Sequence, residues 1–160
     1  MNRLWAPWRM PYVAGSDPAA GCIFCLALHG TDDRKTLLLQ REPRAFLILN
    51  AYPYASGHLM AVVNRHIGPL GDATRDELAD AMTLVQAATA ALRREYRPDG
   101  FNIGINQGRV AGAGLEDHLH VHVVPRWNGD TNFMPVLGDV KVLPEALEAT
   151  YDRLKAALAQ

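Results

Sequence analysis

The stretch His118-Leu119-His120-Val121-His122-Val123-Val124-Pro125 decides the fold prediction, because three of the six histidines of the chain alternate here with aliphatic residues. Side chains at positions i, i+2 and i+4 leave a β-strand on the same face. The alternation therefore predicts a strand that presents Leu119, Val121 and Val123 to a core and three imidazoles to the other side. A row of imidazoles is suited to proton transfer, metal binding, phosphate contact and nucleophilic attack.

The segments before this strand predict a small antiparallel sheet followed by a long helix. Short apolar runs bounded by turn residues predict three strands in a meander, over Thr36–Gln40, Arg44–Asn50 and His58–Val63. The pattern Thr74-x-x-Glu77 is a capping box, and it predicts a helix that ends before Pro98. We expect the apolar side of this helix to carry Leu78, Met82, Val85 and Leu92.

The remaining segments complete an α+β architecture, with one antiparallel sheet and helices packed against it. Phe101–Asn106 predicts a strand with Phe101, Ile103 and Ile105 on one face, and Gln107–Asp117 predicts a loop before the histidine strand. An irregular stretch over 127–142 precedes a final helix. We expect Pro144 in its first turn and an apolar stripe made of Leu147, Tyr151, Leu154 and Leu158.

Length and composition fit one domain over residues 1–160, opening with an irregular segment over 1–20 that carries Trp5, Trp8 and Tyr12 as anchors. Hydrophobic residues make up 49% and charged residues 21%, and 16 basic against 17 acidic residues give a net charge of −1. Such a balance creates no global field toward nucleic acid or a membrane surface. With no apolar run long enough to span a bilayer and no signal-peptide pattern, we expect a cytoplasmic protein that holds any anionic ligand through local groups.

The two cysteines, Cys22 and Cys25, form a C-x-x-C pair. One closely spaced pair makes no disulfide framework, so a redox pair and half of a zinc site remain. A redox pair usually follows a strand of a thioredoxin-like unit, whereas a segment rich in Pro and Trp precedes this one, which favours zinc. Two further ligands are then needed, and spacing alone does not choose among the six histidines: His29, His58, His66, His118, His120 and His122.

A glycine-containing loop, Asn106-Gln107-Gly108 through Gly112-Ala113-Gly114, leads into the histidine strand. Glycines permit backbone amides to converge on an anion, although a flexible connection is the alternative interpretation. The adjacent imidazoles favour phosphate, and Arg109 is a further phosphate candidate. Phosphate beside imidazole indicates nucleophilic phosphoryl or nucleotidyl transfer.

The run from His118 to Val124 resembles the histidine-triad (HIT) motif of nucleotide hydrolases and transferases. Other stretches resemble the diadenosine tetraphosphate phosphorylase branch of that family: the opening from Leu4 to Tyr12, Gly100 to Gly108, Pro125-Arg126-Trp127, and Asp130-x-Asn132-Phe133. The resemblance implies a HIT-like fold, a homodimer, and a nucleotide or dinucleoside polyphosphate as substrate.

The resemblance also implies roles for individual residues. His120 would be the nucleophile that forms a nucleotidyl-histidine intermediate, with His122 and Gln107 contacting the phosphate. A structural zinc ion would be bound by Cys22, Cys25, His66 and His118. Substrate-binding positions would be Asn50, His58, Asn106, Gly112, Gly114, Leu115 and Trp127, of which Trp127 is equally suited to stack on a base or to close a subunit interface.

Three alternatives stay open at this point. The acceptor that releases the nucleotide is either orthophosphate, giving a phosphorylase, or water, giving a hydrolase; phosphoramidates or adenylate conjugates could replace the dinucleotide. The three triad histidines could instead bind a catalytic zinc ion, which would leave Cys22 and Cys25 without a role. A non-catalytic nucleotide-binding module stapled by zinc would need no nucleophile, and the intact middle histidine argues against it.

Overall fold

A computed structural model describes residues 21–130 and 145–159 of the chain. The predictions that concern residues 1–20, Asn132, Phe133, Pro144 and the stretch 131–142 lie outside those residues. Residues 127–130 form no helix or strand, as predicted.

Within the described residues, five antiparallel strands form one sheet in the order β1-β2-β3-β5-β4. The strands are β1 (Leu38–Arg41), β2 (Ala45–Leu49), β3 (Leu59–Val63), β4 (Gly100–Gly104) and β5 (His120–Arg126). The helices are α1 (Ile23–His29), α2 (Asp33–Thr36), α3 (Arg75–Tyr96) and α4 (Leu147–Leu158), with 3₁₀ turns at Leu70–Asp72 and Arg109–Ala111. The predicted α+β class, the meander β1-β2-β3, the long helix and the C-terminal helix are confirmed.

One side of the sheet, called here the helix face, is covered by α3 and α4. Aliphatic side chains from the strands pack there against helical Ala and Leu residues in a single core cluster. Val121 and Val123 belong to this cluster, and Leu119 is also buried. The final helix contributes the predicted stripe: Leu147, Tyr151, Leu154 and Leu158.

The other side, called here the histidine face, has a second and smaller core. It contains Phe24 and Ala27 of α1 together with five strand residues: Leu38, Phe46, Ile48, Met60 and Val62. The register pairs Met60 with His122 and Val62 with His120. Directly opposed residues share a face of a sheet, so the predicted separation of imidazoles from aliphatics along β5 is confirmed.

The predicted first strand began too early. Residues 33–36 form α2, whose N-cap Asp32 accepts a hydrogen bond from the backbone amide of Lys35 at 3.0 Å. Leu37 then adopts a left-handed conformation with φ of 63°, and β1 begins at Leu38. The Asp32 cap provides local hydrogen bonds that outweigh the strand preference of Thr36.

The capping box of α3 is confirmed, but its predicted apolar side was partly wrong. The Thr74 hydroxyl accepts from the Glu77 amide at 3.3 Å, and the Glu77 carboxylate accepts from the Thr74 amide at 2.8 Å. Met82, however, is 48% exposed. The buried side combines three alanines with larger aliphatic residues: Ala81, Ala88 and Ala91 with Leu84, Val85 and Leu92. Alanines let the helix approach the sheet closely, which a pattern of large side chains alone does not reveal.

Strand β4 is shorter than predicted and lies at an edge. It ends at Gly104 rather than Asn106, and within the described residues it pairs only with β5. Phe101 and Ile105 pack on the helix-face core as expected, whereas Ile103 is 47% exposed. The edge position leaves Ile103 without a neighbouring strand to cover it.

Candidate active site and metal centre

Four side chains from three separate segments of the chain converge beside α1. The N-cap of that helix is Cys22, and Cys25 lies one turn later, so both sulfurs lie at the helix N-terminus. One donor atom from each of Cys22, Cys25, His66 and His118 lies within 4.8 Å of the others. The sulfur of Cys22 lies 3.2 Å from Nδ1 of His118, and the sulfur of Cys25 lies 3.4 Å from Nδ1 of His66.

This group fits a tetrahedral metal ion in both geometry and chemistry. Zinc bonds of the usual length imply separations of about 3.3–3.8 Å between neighbouring donors, close to those observed. Nε2 of His118 donates to the Val63 carbonyl at 2.7 Å. The neutral ring then carries its lone pair on Nδ1, the atom that faces the sulfurs. Burial lowers the pKa of His118, which favours that neutral form.

His66 reaches the cysteines because its segment runs close against the approach to the triad. The amide of Leu119 donates to the Ile67 carbonyl at 2.5 Å. A Cβ atom on Gly68 would lie 2.5 Å from the Glu116 carbonyl oxygen, so only glycine permits this contact. Arg65 binds both carboxylate oxygens of Glu77, each at 2.9 Å, and so attaches the segment to α3. Gly68 is not among the residues predicted from the sequence, because a glycine two residues after a histidine is no usable signal.

The structure divides the triad between two environments. Of the three triad histidines, only His118 belongs to the four-residue group. His29, at the end of α1, lies outside this group and contacts the Cys25 carbonyl at 2.8 Å. Nδ1 of His120 lies against a backbone carbonyl, and Nδ1 of His122 lies against another imidazole. This arrangement argues against one zinc ion shared by the three triad histidines.

His120 is held with one nitrogen as a donor. The residue is 3% exposed, and Nδ1 lies 2.7 Å from the His118 carbonyl oxygen. A carbonyl only accepts, so Nδ1 carries the proton and the lone pair of the neutral ring is on Nε2. Burial lowers the pKa of His120, with the hydrogen bond to His118 acting in the opposite direction. The environment therefore favours a neutral imidazole with an unprotonated Nε2.

A chain of hydrogen bonds assigns the tautomer of His122. The amide of Tyr54 donates to Nδ1 of His58 at 3.1 Å, which places the His58 proton on Nε2. That nitrogen lies 3.0 Å from Nδ1 of His122 and donates to it. Neutral His122 then carries its own proton on Nε2. His58, which sets this tautomer, is fully buried. Because of these hydrogen bonds, the two neighbouring imidazoles present opposite functions: Nε2 of His120 is an acceptor and Nε2 of His122 is a donor.

Three of the other predicted binding residues, Asn50, Asn106 and Gln107, lie just beyond the ends of strands β2 and β4. Asn50 is buried and accepts from the Tyr52 amide at 2.8 Å. Asn106 and Gln107 follow the end of β4, where Gly104 pairs with His122.

Leu115 packs against the histidine-face core, and Gly114 beside it is half-buried. Gly112 has φ of 89° and donates its amide to the Arg109 carbonyl at 3.0 Å. The segment that leads into the triad is thus anchored on the same face as the imidazoles.

Charged and aromatic side chains beyond the triad have local partners. The Trp127 indole donates to the Tyr96 carbonyl at 3.2 Å, at the end of α3, so its proposed role on a base stays a prediction. Arg126 binds both carboxylate oxygens of Asp130, and Arg109 binds Glu116 at 3.0 Å. Each arginine would therefore have to break its ion pair before it could bind a phosphate.

Comparison with known proteins agrees with this geometry. A family model described as HIT domain matches residues 32–129. This chain belongs to the HIT family. The matched region includes the triad and His66 but begins after Cys22 and Cys25, so half of the metal-ligand group lies outside the part that defines the family.

Two curated HIT relatives are similar over most of the chain. An AP-4-A phosphorylase from Mycobacterium tuberculosis is 41% identical over 157 residues, covering 94% of this chain and 80% of the relative. An uncharacterised HIT-like protein from Methanocaldococcus jannaschii is 33% identical over 120 residues, covering 75% of this chain and 89% of the relative.

A solved structure supports the HIT fold as well. A zinc-bound histidine triad family protein from Mycobacterium smegmatis superposes with a TM-score of 0.71 at 28% identity, covering 88% of this chain and 95% of that one. Among the helices of the described ranges, none is both long and apolar enough to cross a membrane.

Proposed function

We propose that this HIT protein cleaves dinucleoside polyphosphates such as diadenosine tetraphosphate at the α-phosphate, through a nucleotidyl intermediate on His120. The observation that carries the proposal is the 2.7 Å contact from Nδ1 of His120 to the His118 carbonyl, which leaves the lone pair on Nε2. An imidazole of this kind is an activated nucleophile that needs no separate base. The name of the M. tuberculosis relative supports the substrate class.

The proposed reaction has two steps. Nε2 of His120 attacks the α-phosphorus, the bond from phosphorus to the bridging oxygen breaks, and its electron pair leaves with the departing nucleotide. The proton on Nε2 of His122 would neutralise charge that develops on the phosphoryl group. Gln107, Asn106 and the loop amides at Gly114 and Leu115 would supply further donors, and Gly112 would shape the turn that carries them. Asn50, His58 and Trp127 would form the nucleoside side of the pocket.

The second step regenerates His120. An acceptor oxygen attacks the phosphoramidate, the P–N bond breaks, and the electron pair returns to Nε2. Orthophosphate as the acceptor would turn a bound adenylyl group into ADP, whereas water would give AMP. We propose phosphorolysis, because the relative with 41% identity is named a phosphorylase.

A structural zinc ion would be bound by Cys22, Cys25, His66 and His118. Their donor spacing and the lone pair on Nδ1 of His118 fit such an ion, and the M. smegmatis neighbour is described as zinc-bound. The ion would supply a rigid link between α1 and the strand of the nucleophile. Burial and the adjacent Cys22 raise the pKa of the Cys25 thiol, so metal binding would release its proton.

We also propose a homodimer. Strand β4 lies at the edge of the sheet, and its residue Ile103 is 47% exposed. An unpaired strand edge with an apolar side chain is a template for pairing with a second chain. Sedimentation of the full-length protein tests this directly, since a monomer at micromolar concentration would contradict it.

Trapping of the intermediate tests the catalytic proposal. The protein is incubated with α-labelled diadenosine tetraphosphate, quenched in base, and examined for an acid-labile adduct. We expect His120→Ala to abolish the adduct and to lower turnover by about 1,000-fold or more. His29→Ala removes an exposed imidazole outside the site and serves as the matched control. Turnover that persists in His120→Ala contradicts the mechanism.

The acceptor is identified by the products. Labelled orthophosphate that appears in ADP indicates phosphorolysis, and AMP formed regardless of phosphate concentration indicates hydrolysis. The second result would leave the His120 intermediate standing and replace only the proposed acceptor.

A further inference from the structure

We propose that Phe24, which lies between the two cysteines, is a positioning residue for His120. The inference rests on the function proposed above, because it concerns the aim of the proposed nucleophile. Phe24 is fully buried on the histidine face. It belongs to α1, outside the matched HIT region, and it was not among the residues selected from the sequence.

The Phe24 ring contacts both imidazoles at this end of the triad. Its centroid lies 5.1 Å from that of His120 with an interplanar angle of 56°, and 5.3 Å from that of His118 with an angle of 79°. Aromatic pairs at these separations and tilts are attractive and have a defined geometry. On its other side Phe24 meets Phe46 at 6.4 Å in an edge-to-face arrangement.

The contacts of Phe24 restrict the orientation of the His120 ring, which its hydrogen bond alone does not fix. The bond from Nδ1 to the His118 carbonyl fixes one point of the ring, and the plane of the imidazole can still tilt about it. A packed aromatic wall restricts that tilt, because close-packed interiors leave no free volume for rotation. The direction of the Nε2 lone pair, at the opposite edge of the ring, is thereby fixed as well. A misplacement of about 1 Å in a reacting atom can lower the rate about 100-fold.

The position of Phe24 in α1 separates this role from metal binding. Ile23 and Leu26 of the same helix are 50% and 57% exposed, so Phe24 is the large side chain that the first turn sends into the protein. The cysteines on either side of it face His66 and His118. One turn of α1 therefore carries both the two cysteines of the proposed metal site and the aromatic ring that contacts His120.

Kinetic comparison with a matched control tests the proposal. The variants are Phe24→Leu and Phe24→Met, which keep an apolar group but remove the ring, and the control is Phe46→Leu. Phe46 is fully buried in the same cluster, so its replacement creates a similar cavity. We expect kcat to fall about 10- to 100-fold in both Phe24 variants with KM within about 3-fold of wild type. The control should keep kcat within about 3-fold at a comparable loss of thermal stability.

A measurement without substrate keeps this inference separate from the proposed reaction. Side-chain ¹⁵N shifts at fixed pH should show protonated Nδ1 and unprotonated Nε2 for His120 in wild type and in Phe46→Leu. Loss of the Phe24 ring should let the imidazole tilt out of line with the His118 carbonyl and weaken that hydrogen bond, so the Phe24 variants should show a mixture of tautomers. If wild type turns over no dinucleotide, the proposed function fails, and these shifts still decide the role of Phe24.

Three results would overturn the inference. The Phe24 variants could keep the wild-type ¹⁵N pattern, or their kcat could fall no further than that of the Phe46 control. Their kcat could also fall in proportion to lost metal, measured by release to a chromogenic chelator, which would assign Phe24 to the metal site instead.

Discussion

The same strands supply both faces of the sheet, but the side chains on the two faces are held by different interactions. On the helix face, side chains such as Leu47, Val121 and Leu84 are buried among aliphatic neighbours and make no hydrogen bonds. On the histidine face, His58, His118 and His120 are just as buried, yet each has a ring nitrogen held by a backbone group or another imidazole. Stability thus comes mainly from a face where the orientation of a side chain matters little, and the proposed chemistry lies on a face where each of these imidazoles has a hydrogen-bonded nitrogen.

This contrast follows from the two kinds of energy involved. Burial of apolar area is nearly independent of orientation, so the helix face tolerates repacking. A buried polar group is costly unless its hydrogen bonds are made. Each imidazole of the histidine face therefore constrains its neighbours, and a change at one is transmitted to the next.

Metal removal should have the largest effect on the free energy of unfolding. Such an effect would show that the histidine face contributes to stability as well. We expect a chelator to lower the free energy of unfolding by about 5 kcal/mol or more, because a structural zinc site couples metal binding to folding. Thermal melts with and without chelator measure this. Cys25→Ser should start at the lower melting temperature and respond little to the chelator. Equal melting temperatures for untreated and chelated wild type would argue against a structural metal.

A cavity in the helix face should cost stability without altering chemistry. Leu84 is fully buried there, so Leu84→Ala should lower the free energy of unfolding by about 2–5 kcal/mol. Urea titration measures the loss. Adduct formation per folded molecule should stay at the wild-type level, and a specific loss of adduct would break the proposed division between the faces.

A methyl group on Gly68 should disturb the metal centre from outside it. The added Cβ would lie 2.5 Å from the Glu116 carbonyl, so Gly68→Ala must separate the segment of His66 from the approach to His118. We expect metal affinity to fall at least about 10-fold, as for other changes that disturb the outer shell of a metal site. Gly71→Ala is the control, because nothing lies within 4 Å of its added Cβ. Competition with a chromogenic chelator compares the two, and equal affinities would disprove the steric argument.

The smallest effect is expected at Glu77, where the Arg65 segment meets α3. The Arg65 guanidinium and the Thr74 donors lower the pKa of this carboxyl to about 2. A folded pKa below the unfolded value means that the stabilisation is fully present above the unfolded pKa of about 4.5 and is lost as the pH falls toward 2. Glu77→Gln should lower the free energy of unfolding at pH 7 by about 1–3 kcal/mol.

The pH dependence of that difference provides the check. Urea titrations at pH 7 and pH 3.5 should show a smaller gap between wild type and Glu77→Gln at the lower pH. A gap that is constant across this range would show that the charge of Glu77 contributes nothing to folding.

The sequence determined by itself which residues share a face of β5 and where α3 begins. Both follow from local covalent geometry: alternation along a strand has a fixed period of two, and a capping box joins residues three apart. The triad motif likewise singled out His120 before any contact was known. The sequence could not show that Ala81, Ala88 and Ala91 share the buried side of α3 with the larger aliphatic residues, because the contribution of an alanine depends on how closely the sheet approaches the helix.

Only the tertiary structure decided which nitrogen of each histidine carries a proton, and it brings to the cysteines the two histidines that the family resemblance implied, His66 and His118. Those answers depend on atoms from distant segments, namely the Val63 carbonyl, the Tyr54 amide and the Gly68 backbone. Spacing along the chain carries no information about such contacts, because hydrogen bonds and metal bonds depend on distance in space. The position of the imidazoles on β5 therefore follows from the sequence, and the fold decides which of their nitrogens donate and which accept hydrogen bonds.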